Sequence, residues 1–128
     1  MKDKIIAEFP SGYIEDNEDI LTAAKRELIE ETGYTSNDLL IVDEAYASVG
    51  IDNSISYIVV ANNCIKSKDV NHDGTEFLIY DLFSKEELEY LINNNIMNGA
   101  MNKLAYYNLI RNIDNNKRLR KKNINSLI

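Results

Sequence analysis

Cysteine is nearly absent. Cys64 is the only one in 128 residues, which excludes an intrachain disulfide. A chain of this length builds one domain with a core of its own, without covalent staples. There is no run of about 18 apolar residues, so no membrane-spanning helix is expected. The opening stretch MKDKIIAEF lacks the long apolar core of a secretory signal. These absences together point to a soluble chain in a reducing, cytoplasmic setting. Internal repeats and linker-like segments are missing too, and residues 1–128 read as a single domain.

Positive charge is scarce outside one place. Lys117, Arg118, Arg120, Lys121 and Lys122 cluster near the C-terminus, and the formal net charge is −7. Without those five, nine basic residues face 21 acidic ones, for a net charge of −12. Such a body repels nucleic acid and suits divalent cations, which prefer carboxylate oxygens. The basic cluster reads as the solvated end of a helix or a frayed tail.

What is present is a mixture of helix and strand signals. Lys4 to Phe9 reads as a short strand stopped by Pro10, the single proline, with a turn at Ser11-Gly12. Asp16 or Asn17 is placed to cap a helix, which puts Glu18 and Asp19 in its first turn. Ile20, Ala24 and Leu28 form a buried stripe at spacing four, and Gly33 is a natural helix stop. Leu39 to Tyr46 is apolar but broken by Asp43-Glu44, and the β-branched run from Ile55 to Ala61 reads as a buried strand. Phe77 to Phe83 reads as another strand. Ser84 and Glu87 form a capping box that opens a helix of about ten residues. A last helix runs from about Ala100 to Ile113. Met97 and Met101 are spaced as core residues.

The unusual feature is the octapeptide RELIEETG, Arg26 to Gly33. On a helix Glu27 is a neighbour of both Glu30 and Glu31, so three like charges share one surface. Water, basic neighbours or a metal ion must compensate them. With its flanks the stretch runs glycine (Gly12), five residues, Glu18, seven residues, Arg26, Glu27, Leu28, one residue, Glu30, Glu31, one residue, Gly33 and Tyr34.

This stretch resembles the signature of the Nudix hydrolases at every defined position. The resemblance implies an α+β fold, the Nudix-type α/β/α sandwich with a mixed β-sheet, and hydrolysis of the pyrophosphate bond in a nucleoside diphosphate linked to another group. It implies Mg²⁺ (or Mn²⁺), which neutralises phosphate oxygens and activates water. Glu27, Glu30 and Glu31 become the metal-binding face, with Glu30 and Glu31 also catalytic. The Ser11 carbonyl becomes a further metal ligand. Arg26 and Glu18 become the internal pair that ties loop to helix, and Gly12 permits the tight loop entry.

EFPSGYIE, Glu8 to Glu15, and the segments AYASVGIDNSISYIVVA and DGTEFLIYDLFSKEELEYLINNNIMNG resemble the ADP-ribose pyrophosphatase branch. That branch implies an acidic ligand or general base on a late loop, for which Glu76 is the candidate and Asp73 the second. Two departures stand out. Val49 occupies a position where many ADP-ribose enzymes carry proline. The segment that usually precedes the box, with its first strands, is short here, and Lys2 and Lys4 are its only cations. Open sheet edges are then expected, and with them a homodimer that covers the region around Lys2 to Phe9.

ADP-ribose or a similar nucleotide sugar is the first substrate implied. The alternatives are a catalytically silent nucleotide-binding or regulatory domain, and an enzyme acting on nucleoside triphosphates or dinucleotides. Tyr46 and Val49 are the candidate substrate contacts. Tyr46 and Tyr57 can stack on a base, although strand tyrosines more often pack half-buried. His72, in a polar loop beside Asp73, reads as a surface histidine. Cys64 has no activating neighbour in the sequence.

Overall fold

A computed structural model describes residues 7–51, 53–70 and 81–126. In chain order the elements are α1 (Ile20–Thr32), β1 (Tyr34–Thr35), β2 (Asp38–Tyr46), β3 (Ile55–Asn62), β4 (Ile65–Lys66), α2 (Lys85–Asn93) and α3 (Ala100–Ser126). The class is α+β, as the residue pattern implies. Among the described residues every strand pair is antiparallel, so the expected mixed sheet appears here only as two antiparallel pairs, β2 with β3 and β1 with β4.

The β2–β3 ladder runs from Asp38↔Asn62 to Tyr46↔Ile55, with an irregularity between Ile41 and Asp43. The sequence break at Asp43-Glu44 is therefore not a strand end. Asp43 and Glu44 pair with Ile58 and Tyr57, the bulge lies just before them at Val42, and the Asn108 amide of α3 donates to the Asp43 carboxylate at 3.0 Å. That bond, with the Glu44 N–H and the charge of Arg111, holds Asp43 below the usual carboxylate range. At the other end of the ladder the Ser36 hydroxyl donates to the carbonyls of Asp38 and Asn62 and accepts from the Asp38 N–H. Ser36 is buried, and this closed set of bonds satisfies it.

The main apolar cluster lies elsewhere, between α2, the turn after it and the first half of α3. Leu88, Ile92, Met97 and Tyr106 form it, with Ala7, Phe9, Leu91, Leu109 and Ile110 packed around them. Each fully buried aliphatic side chain there contributes roughly 1.5–3 kcal/mol. Met97 is core, as its spacing implies, and Met101 is half-buried. The Ser84–Glu87 capping box forms as the sequence predicts, and α2 runs nine residues from it.

Residues 7–9 are not paired in a strand. The Ala7 N–H donates to the Ile96 carbonyl at 3.1 Å and the Phe9 N–H to the Asn102 side chain at 2.8 Å. The segment expected to be a strand thus docks here on the α2–α3 turn and on α3. This fixes where Pro10, Ser11 and Gly12 begin. The last helix also differs from expectation. It continues past Ile113 to Ser126, so the positions of the basic cluster fall on helix. The expected strand from Phe77 lies mostly outside the described residues, and Asp81 to Phe83 carry no ladder. No helix among the described residues is long and apolar enough to cross a membrane.

Candidate active site

Helix α1 starts later than the sequence suggests. Asp19, not Asp16 or Asn17, is its N-cap, accepting from the Thr22 N–H at 2.7 Å. The reason is Glu18. Its two carboxylate oxygens accept from Arg26 Nε at 2.8 Å and from Arg26 Nη2 at 2.9 Å, and one also accepts from the Glu15 N–H at 3.0 Å. A helical Glu18 would give up that loop bond. The chain instead turns at Asn17 in the left-handed region, φ 61°, and enters the helix at Ile20. At the other end Gly33 caps the helix at φ 78° and its carbonyl accepts from the Ser67 and Lys68 N–H groups, which locks β4 beside β1. The stripe is also displaced. Ala23 is buried, while Ile20, Ala24 and Leu28 are half-buried. Ala23 lies one turn before Arg26 and Glu27, on the side to which the 11–15 loop folds back.

That loop is held by the box side chains themselves. The Ser11 N–H donates to Glu31 at 3.0 Å. Gly12 sits so close to Glu27 that a Cβ there would overlap the carboxyl group. The Tyr13 carbonyl accepts from Arg26 Nη2 at 3.0 Å. Arg26 Nη1 reaches Glu27 at 2.8 Å and Glu30 at 3.5 Å. One half-buried guanidinium therefore joins Glu18, Glu27 and Glu30 to the loop backbone. Its hydrogen bonds and the Glu15 N–H hold the Glu18 carboxyl down to about 2. Glu18 and then Glu27 in turn hold Arg26 further in its protonated form.

Glu31 behaves in the opposite way. Burial pushes its carboxyl up, the Ser11 N–H opposes that, and the charges of Glu27, Glu30 and Glu8 add to the rise. The like-charge strain implied by the octapeptide is thus concentrated on Glu31, while Arg26 relieves Glu27 and Glu30. The donor set is all carboxylate oxygen, which fits a hard divalent cation. Among the described residues, however, no three acidic side chains are gathered into a finished cation cage.

Of the remaining expected site residues, Tyr46 ends β2 and is exposed, and Val49 lies in the β2–β3 connection, 81% exposed. Both belong to the hairpin and neither is hydrogen-bonded to the box. The structure shows the Ser11 N–H engaged at the site, and it does not place the Ser11 carbonyl on a ligand. Glu76, Asp73 and His72 lie outside the described residues. Sequence spacing did not single out Glu15 or the Tyr13 carbonyl as partners in the loop closure. The Glu15–Glu18 separation of three, typical of a turn, was the available signal.

A family model for the NUDIX domain matches residues 2–103, most of the chain. The chain belongs to the Nudix family. Members of the family generally use divalent metal ions, in keeping with the carboxylate face of α1. Two curated relatives were found. One is a methanol dehydrogenase activator of Bacillus methanolicus, 33% identical over 91 residues, or 70% of this chain and 49% of the relative. The other is an ADP-ribose pyrophosphatase of Bacillus subtilis (strain 168), 37% identical over 59 residues, or 46% of this chain and 32% of the relative. This Nudix chain spans about half the length, or less, of the curated relatives it matches.

Proposed function

We propose that this Nudix domain hydrolyses the pyrophosphate bond of a nucleoside diphosphate joined to another group, with ADP-ribose or a similar nucleotide sugar as the leading substrate. One observation carries the reading. The Arg26–Glu18 clamp pins the 11–15 loop against α1 and leaves Glu31, raised by burial and by its neighbours, as the most strained anion of the face. The clamp stabilises the loop, but the raised Glu31 is a cost to the fold that a bound cation would offset. Glu27, Glu30 and Glu31 would hold Mg²⁺ or Mn²⁺, with the loop at Ser11 beside them. When bound, the ion supplies charge neutralisation at the phosphate oxygens and a water of lowered pKa. The chain's own part is to hold those carboxylates in register through Arg26 and to keep the loop closed over Glu27 and Glu31. Glu30, Glu31 and Glu76 are the groups we assign to proton transfer from the attacking water. A cytoplasmic homodimer is the form in which we expect the protein to act.

The ADP-ribose pyrophosphatase relative supports the substrate class, and the second relative bears a different name, activator of a dehydrogenase. A second reading, a catalytically silent nucleotide-binding domain, is favoured by one observation. Arg26 engages Glu27 directly, as a cation substitute would. A Mg²⁺-dependent screen of nucleoside diphosphate derivatives, with products identified, separates the two. Release of a nucleoside monophosphate and a phosphorylated partner is expected from at least one nucleotide sugar. Binding without turnover across the panel would overturn the hydrolase reading.

A further inference from the structure

Tyr13 is 91% exposed, and the residue after it, Ile14, is 44% exposed. Single exposed apolar side chains are common and need no explanation. Tyr13 differs because its backbone is immobilised on every side. The Ser11 N–H is held by Glu31, Gly12 lies against the Glu27 carboxyl, the Tyr13 carbonyl is held by Arg26, and the Glu15 N–H is held by Glu18. Five consecutive residues thus present one ring to solvent from a fixed platform, one residue away from the contact with Glu27.

The same bonds create a need for such a ring. Arg26, the guanidinium of the box, is fully engaged with Glu18, Glu27 and the Tyr13 carbonyl. It has no free pair of donors for an anionic substrate. The carboxylates around it repel phosphate unless a cation intervenes. Beside that cation, an uncharged surface can add attraction for a nucleotide without being opposed by these carboxylates. A planar ring on a rigid loop provides it, because stacking loses little conformational freedom there.

We infer that Tyr13 is a specificity-determining contact that stacks on the planar base of a nucleotide whose phosphates lie at the Glu27–Glu31 face. The inference rests on the nucleotide-binding part of the function proposed above. The phenol hydroxyl is not required, since the ring face makes the contact.

Calorimetric binding of ADP and of inorganic pyrophosphate, both with Mg²⁺, tests it on the parent, Tyr13→Phe and Tyr13→Ala proteins. Tyr13→Ala should bind ADP about tenfold more weakly, the scale of one base–aromatic stack. Tyr13→Phe should match the parent, and pyrophosphate should bind all three alike. ADP affinity that stays within about twofold in Tyr13→Ala, less than one such stack, would overturn the inference. So would an equal loss of pyrophosphate, which would mean that the loop had shifted, or a parent that binds no ADP. Conversion of a dimer to a monomer with ADP binding intact would assign Tyr13 to self-association instead. A parent that binds ADP through Tyr13 but hydrolyses no nucleoside diphosphate derivative would overturn the hydrolase reading and leave this inference standing. Hydrolysis by a parent whose ADP binding ignores Tyr13 would do the reverse.

Discussion

Arg26 and Glu31 divide the electrostatics of α1 between them. Arg26 neutralises Glu18 and part of Glu27 and Glu30, while Glu31 keeps a charge that burial and three carboxylates oppose. An acid whose folded pKa is raised carries no penalty when protonated in both states. Its penalty appears as pH rises through the unfolded carboxylate range and persists at neutral pH. Glu31→Gln should therefore melt higher than the parent at neutral pH without metal. The parent should gain stability with Mg²⁺, since the ion binds the folded state, and Glu31→Gln should lose most of that gain. A calorimetric scan of both proteins with and without Mg²⁺ reads the difference, and equal metal shifts would count against the metal face. Glu18 has the opposite sign. Its folded pKa of about 2 contributes stability above the unfolded carboxylate pKa, which is lost as pH falls toward about 2. The parent should show a steeper fall in melting temperature across that window than Glu18→Gln, in which Asp19 and Asp43 still contribute, as a pH series of melts would show.

At the scale of the element, α1 is defined by its ends. Its C-terminal glycine is left-handed, and a Cβ on Gly33 would run into the Lys68 carbonyl. Gly33→Ala should cost more than the roughly 1–2 kcal/mol of a left-handed L-residue, because the β4 backbone must move as well. Urea unfolding at neutral pH measures it, and a loss below about 0.5 kcal/mol, typical of an ordinary surface change, would show that β4 yields freely. The β2–β3 hairpin poses a different question. Val49 is exposed at its connection and free of the box. If this position shapes a nucleotide-sugar pocket, Val49→Pro should raise the preference for ADP-ribose over other nucleoside diphosphate sugars. Ratios of kcat/KM unchanged within about twofold, far below the tenfold step of ~1.4 kcal/mol, would remove Val49 from substrate selection.

At the scale of the molecule, apolar surface remains uncovered on the two-stranded β2–β3 sheet. Leu40, Ile41, Tyr46 and Ile55 are exposed there, with Ile51 in the connection, and β2 pairs only with β3 among the described residues. A strand edge beside exposed aliphatic side chains is a template for pairing. A dimer in solution is the expected outcome, read by light scattering. A monodisperse monomer at high concentration would refute it.

Much of this was legible in the chain because it depends on local spacing. Helix geometry brings Glu27 beside Glu30 and Glu31, the left-handed freedom of glycine ends α1 at Gly33, and the Arg26–Glu18 pair followed from the resemblance of the box to the Nudix signature. The Ser84–Glu87 capping box and the β-branched run of β3 are equally local. The tertiary structure decided what depends on distant partners. Asp19 became the cap because Glu18 was drawn into the loop by Arg26. Of the strand expected before Pro10, residues 7–9 dock instead, with the Phe9 N–H on Asn102, 93 positions away. Asp43 stays in its ladder opposite Ile58, and its carboxylate found Asn108, 65 positions away. Whether Tyr13 is buried or presented was likewise beyond sequence spacing, since four anchors on α1 and its loop determine it. Hydrophobic period and capping chemistry act over one or two turns, whereas a side chain's partners across the fold depend on where the whole backbone has brought them.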